Sequence, residues 1–126
     1  PFAISKSAKA AYHAWGGFTS PLLVALLALA EQVAAAAGLS PSSARKRALP
    51  ILRQTLDNYA RFGAAAAFSG PIVRGDVEVV RKHLAMLKTQ PEARAAYVAL
   101  SNAALKYLPS QNASELAELL RRASKL

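Results

Sequence analysis

His13 and His83 are the two histidines of the chain, and no cysteine accompanies them. Neither has an i, i+4 partner or an HExxH setting, so neither has the spacing of a zinc ligand, and the ordinary role for each is packing with one ring nitrogen satisfied. Serines and aspartates are scattered, but no GxSxG elbow sets a serine on a strained turn as a hydrolase nucleophile requires. GxGxxG and GxxxxGK[ST] are both absent, and Gly16-Gly17 is too little to cradle a phosphate. Arg74-Gly75-Asp76 spells an adhesion tripeptide, yet a loop bent at Gly75 and a helix capped by Asp76 account for it. Three polar features stand where a ligand cleft could use them, since clefts gather a few convergent polar groups. Tyr12-His13 precedes the most apolar helix, Thr55 interrupts an apolar stripe, and the SGPIVRGD segment carries a fixed cation at Arg74. Thr55 also has a local alternative, a hydroxyl bonded back to the carbonyl of Ile51.

The elements that must position these groups are helical throughout. No segment alternates apolar and polar residues long enough for a sheet, and only residues 2–4 could be a strand remnant. A first helical region over about residues 7–37 should end at Gly38 and bend or break near residues 16–20, where Ser20 can cap a new start and Pro21 can take its first position. Ser40-Pro41 repeats that start signal and opens a helix toward Phe62, with Gly63 ending it and Pro50 expected to kink or split it. Leu52, Thr55, Leu56, Tyr59 and Phe62 fall on one stripe, expected to be buried, with Arg53, Gln54, Asp57 and Arg61 on the wet side. Residues 64–68 suit one helical turn, and Ser69-Gly70-Pro71 a loop. Asp76 then caps a helix with Val77, Val80, Leu84 and Leu87 inward; Pro91 opens another with Tyr97, Leu100 and Ala104 inward; the last buries Leu116, Leu119, Leu120 and Ala123. The expectation is one all-α domain over residues 1–126, about six helices around a long apolar central helix, without internal repeats.

Composition narrows the function classes. Sixteen Lys and Arg against seven Asp and Glu give a net charge of +9. Such a balance suits nucleic acid, anionic membrane or an acidic partner, but the basic residues are scattered and no aromatics interleave to stack bases. The uncharged residues 10–30 are long enough to span a bilayer, but His13, Gly16, Gly17, Thr19, Ser20 and Pro21 crowd the first half, so a buried core helix is expected instead of a membrane span. The opening residues lack the basic and apolar regions of a signal peptide, and a cysteine-free chain fits the cytoplasm.

KAAYHAW, LLVALLALAEQVAAAAGL, TLDN, AAAAFSGPIVRGD, VVRKHLAML and PEARAAYVAL occur together in this order. The set resembles the C-terminal helical domain, of unassigned function, of a bacterial family of Rossmann-like proteins, over roughly residues 2–108 and most specifically in SGPIVRGD and the RKHL that follows. The resemblance implies a fold like the C-terminal domain of 6-phosphogluconate dehydrogenase, related in architecture to pyrroline-5-carboxylate and ketopantoate reductases. In such proteins an N-terminal Rossmann domain holds NAD(P), and the helical domain closes the substrate cleft and commonly makes the dimer. Residues 1–5 would then be the tail of that missing domain, and no cofactor would be bound by this chain. Where the family commonly has a Ser-Asn pair after YHA, this chain has Ser20-Pro21. By resemblance, His13, Ser20, Thr55, Asn58, Arg74, Asp76 and His83 are the cleft candidates, with no acid or base assigned among them.

The first functional expectation is therefore the dimerisation and substrate-cleft domain of an NAD(P)-dependent oxidoreductase, silent when isolated from its nucleotide-binding half. The alternatives are a basic helical module for nucleic acid or an acidic protein, and a helical domain with its own small-molecule pocket. A homodimer through the Leu22 helix or its packing partners is expected, because apolar side chains cover nearly every direction around that helix.

Overall fold

Residues 5–125 are described by a computed structural model. The possible strand at residues 2–4 lies outside them. After a 3-10 turn at Lys6–Ala8 come α1 (Lys9–Thr19), α2 (Pro21–Ala36), α3 (Pro41–Phe62), α4 (Ala64–Ala67), α5 (Pro71–Arg74) and α6 (Val77–Met86). A second 3-10 turn at Leu87–Thr89 leads to α7 (Pro91–Tyr107) and α8 (Ala113–Ala123). The described residues contain no strand, and the six helices longer than a single turn match the helical periodicity of the sequence.

Local chemistry explains the boundaries. Proline sits at the start of α2, α3, α5 and α7, where its missing N–H would be unpaired anyway. Ser40 caps α3 by accepting from the Ser43 N–H at 3.2 Å, whereas the Ser20 side chain, expected to cap α2, makes no such bond. α2 ends in a Schellman motif: Leu39 N–H donates to Ala34 O and Gly38 N–H to Ala35 O, with Gly38 at φ 89°. α3 runs as one helix through Pro50, so of the two expected outcomes, a kink or a split, the split does not occur. The proline leaves the Lys46 carbonyl without its intrahelical donor, but both residues are exposed and water can take its place.

The core lies in the C-terminal half. Val80 and Leu84 of α6, Val98 of α7, and Leu116, Leu120 and Ala123 of α8 form one buried cluster, with Ile72, Val77, Tyr97, Leu105 and Leu119 around it. Leu100, expected inward, is instead exposed; Ala93, Val98, Ser101 and Ala104 make the buried side of α7. Arg94 ties the cluster's ends together: Nε donates to Leu84 O near the end of α6 at 3.2 Å, and Nη1 to Ala123 O at the end of α8 at 2.8 Å. A cation at two helix C-termini is favoured by both dipoles. Arg94→Ala is expected to cost about 2 kcal/mol in urea unfolding, a charged donor bonded to carbonyls being the stronger kind of hydrogen bond. A loss below about 0.5 kcal/mol would show that the two contacts contribute little.

SGPIVRGD, whose function the sequence left open, is a clamp. Gly70 at φ 103° precedes the single turn of α5 and Gly75 at φ 67° follows it. The loop before α8 closes on that turn: Ser110 Oγ donates to Ile72 O at 2.6 Å, Gln111 N–H to Val73 O at 3.0 Å, and Asn112 Nδ2 to Gly75 O at 3.0 Å. Gly75 is buried, and a Cβ there would run into the Gln111 carbonyl.

The N-terminal half is built differently. α2 packs on α1, α3 and α7, so it is central in connectivity, but neither α1 nor α2 has one buried residue. This corrects the expected all-round burial of the apolar helix. The α3 stripe departs in the same way: Leu52 is half-buried, but Leu56, Tyr59 and Phe62 are 56%, 59% and 63% exposed. Their hydrophobic periodicity is real, and among the described residues nothing covers it.

Candidate functional site

The seven cleft candidates do not converge. Among the described residues no hydrogen bond, ion pair or ring contact joins any two of them. His13 is exposed on α1, its ring 6.3 Å from that of Tyr12, and Ser20 is exposed at the joint between α1 and α2. Thr55 Oγ1 donates to Ile51 O at 2.8 Å, the local alternative to a cleft role. Asn58 Oδ1 accepts from Gln54 Nε2 at 2.9 Å along the same helix. Arg74 is exposed at the end of α5, and Asp76 caps α6 by accepting from the Val79 N–H at 3.3 Å. Four of the seven therefore sit on the open N-terminal helices or their joint, and two frame the clamp.

His83 is the exception. Its Nδ1 lies 2.9 Å from the Tyr97 hydroxyl, the two rings edge to face with centroids 5.8 Å apart. Burial raises the Tyr97 pKa above its ordinary value, favouring the protonated phenol, and which of the two groups donates is set by the His83 tautomer. The pair lies on an apolar groove of about 440 Å³ between α2 and the α6–α7 corner, with Leu26, Leu29, Val33 and Leu100 among its walls. The buried Ser101 also lines it. Histidine, phenol and hydroxyl on an apolar wall can orient one polar group of an otherwise apolar occupant. Tyr97 and Ser101 were not singled out as polar site residues by sequence; their i, i+4 spacing puts them on one helix face, but the approach of Tyr97 to His83, fourteen positions earlier, is tertiary.

A shallower cavity of about 360 Å³ runs along α6 and α8, lined in part by Arg81, Glu118 and Arg122. Glu118 accepts from Arg121 at 2.5 Å and from Arg122 at 3.0 Å, and these two guanidinium groups hold its carboxyl down at about 2. A depressed carboxyl stabilises the fold above its unfolded-state pKa, and that contribution fades as pH falls through about 2. Because the Glu118 side chain is still 44% exposed and both arginines more so, the contribution to stability is small and salt-sensitive. Carboxyl NMR titration should find Glu118 ionised well below the ordinary Glu range, and Arg121→Ala should return it toward normal; a normal midpoint in the unmodified chain contradicts the ion-pair geometry.

Gly16 and Gly17 lie inside α1 and not in a loop ahead of a helix, so they make no pyrophosphate cradle. Among the described residues no group of three or more His, Asp or Glu side chains gathers as a metal site. The run Lys6–Ala36 is apolar and long enough to cross a membrane by length and composition. The backbone breaks at Ser20 (φ −132°, ψ −80°), and the sixteen residues of α2 span only about 24 Å against a hydrocarbon core of about 30 Å.

A family model described as Domain of unknown function (DUF2520) matches residues 1–104. No curated protein and no solved structure matches the chain.

Proposed function

This chain belongs to the family of that domain of unknown function, and from that premise we propose that it is a dimerisation and cleft-forming domain serving an NAD(P)-dependent oxidoreductase. The observation that carries the dimer is surface. The chain exposes 9107 Å², whereas a compact monomer of 13.3 kDa exposes roughly 6,500 Å². The difference, roughly 2,600 Å², is on the scale that each copy buries in a large obligate homodimer. It is also apolar: Trp15, Phe18, Leu22, Val24, Ile51, Leu56, Tyr59 and Phe62 are each more than half exposed, all on α1 to α3. A patch of this kind marks an interaction surface, and closed twofold symmetry covers it on both copies at once.

The oxidoreductase part of the reading rests on the resemblance of SGPIVRGD and its neighbours to Rossmann-associated helical domains. With no phosphate cradle in its helices, this chain would contribute cleft walls and symmetry while another domain holds the nucleotide.

Sedimentation equilibrium at micromolar concentration should give about twice 13.3 kDa. Leu26→Glu, on the groove side of α2, should weaken association roughly 100-fold or more while the circular dichroism stays helical. A single species at the monomer mass in the unmodified chain would overturn the reading.

A further inference from the structure

We propose that the groove bearing His83 and Tyr97 is filled in the dimer by the last two turns of α3 from a second copy, making each site composite. The inference rests on the dimer reading and adds which surfaces meet. α3 is divided in its duties. Its first half is held by its own α2, with Ala44 buried and Ala48 and Leu52 half-buried against Leu27 and Ala34. Its last two turns carry Leu56, Tyr59 and Phe62 as an exposed ridge.

Length and chemistry match the ridge to the groove. Leu56 to Phe62 rises about 9 Å along the helix, and the α2 wall from Leu26 to Val33 rises about 10 Å. The groove lining holds no Lys, Arg, Asp or Glu, and the ridge holds none either. Asp57 and Arg61 pair with each other at 3.8 Å and are exposed; the Arg61 guanidinium also lies 5.8 Å from the Phe62 ring centre, so seating the ridge requires it to swing to the groove's rim, where it can stay hydrated. An acidic peptide or nucleic acid would have to bring its charges to an uncharged wall. Reciprocal seating of α3 in both grooves is an isologous contact that closes on itself. Tyr59 and Phe62 of one copy would then roof the His83–Tyr97 pair of the other.

Because the chain has no cysteine, introduced thiols are the only ones present. Phe62→Cys in one tagged chain and Leu100→Cys in a differently tagged chain can be co-expressed and oxidised. The expected result is a disulfide between the two chains, with Tyr59→Cys and Met86→Cys as a second pair. Independently of thiol geometry, Leu100→Cys alone should react with maleimide about tenfold more slowly in the dimer than when Tyr59→Glu is also present. A doubled mass with no interchain disulfide from either pair and no shielding at position 100 would overturn this docking and leave the dimer standing. A Phe62→Cys homodisulfide in place of the mixed one would overturn it too, by placing α3 against α3. A monomer would overturn both readings.

Discussion

Leu116→Ala is expected to remove about 3 to 5 kcal/mol of unfolding free energy, the largest loss available to one truncation here. Leu116 is fully buried, with Val80, Leu84 and Leu120 in the same cluster. The loss combines the transfer free energy of the missing methyl groups with the cavity they leave. The site cannot collapse cheaply, because α6, α7 and α8 meet around it and Arg94 holds the ends of α6 and α8 in place. Urea unfolding at a fixed protein concentration measures it, the concentration being held because association shifts apparent stability. A loss under about 1 kcal/mol would mean that the three helices do not form a close-packed core.

Gly75→Ala should follow at about 3 kcal/mol, through a different mechanism. The residue is held at φ 67°, where an L side chain costs roughly 1 to 3 kcal/mol. The added methyl also meets the backbone of Gln111, which is fixed by its own N–H bond to Val73 O and has little room to retreat. Gly38→Ala separates the two contributions. Gly38 has φ 89°, and a methyl added there would meet nothing within 4 Å, so the change should cost only about 1 kcal/mol. Equal losses at the two glycines, read from paired urea curves, would show that the Gln111 contact carries no strain.

Helix boundaries were legible in the sequence because they are set locally. Gly38, Ser40-Pro41, Gly63, Asp76 and Pro91 each act through hydrogen bonds or dihedral preferences within a few residues. Pro50 does not split α3, since the carbonyl it frees on Lys46 is open to water; local signals alone left the choice between a split and a kink undecided. Burial was legible only where the chain covers itself: the Val80 and Leu84 face and the Leu116 and Leu120 face are buried as their spacing implies. The stripe ending at Tyr59 and Phe62 has the same period, and periodicity states that a face seeks cover without stating whose. The cleft candidates were weaker still. Thr55 and Asp76 are occupied by their own helices, and the meeting of His83 with Tyr97 depends on how α6 and α7 pack.

The division between a self-covering C-terminal half and an uncovered N-terminal half also has a direction in time. α1, α2 and α3 leave a ribosome before α6, α7 and α8, the helices that make the intramolecular core. These three helices thus present their exposed apolar side chains before the C-terminal core can form, and among the described residues completing α8 still leaves them open. If a second copy is the cover, as proposed above, two neighbouring ribosomes on one message would shorten the wait. Under that proposal the apolar side chains of α1 to α3 are an aggregation hazard from early in synthesis until association, the interval a chaperone would have to bridge.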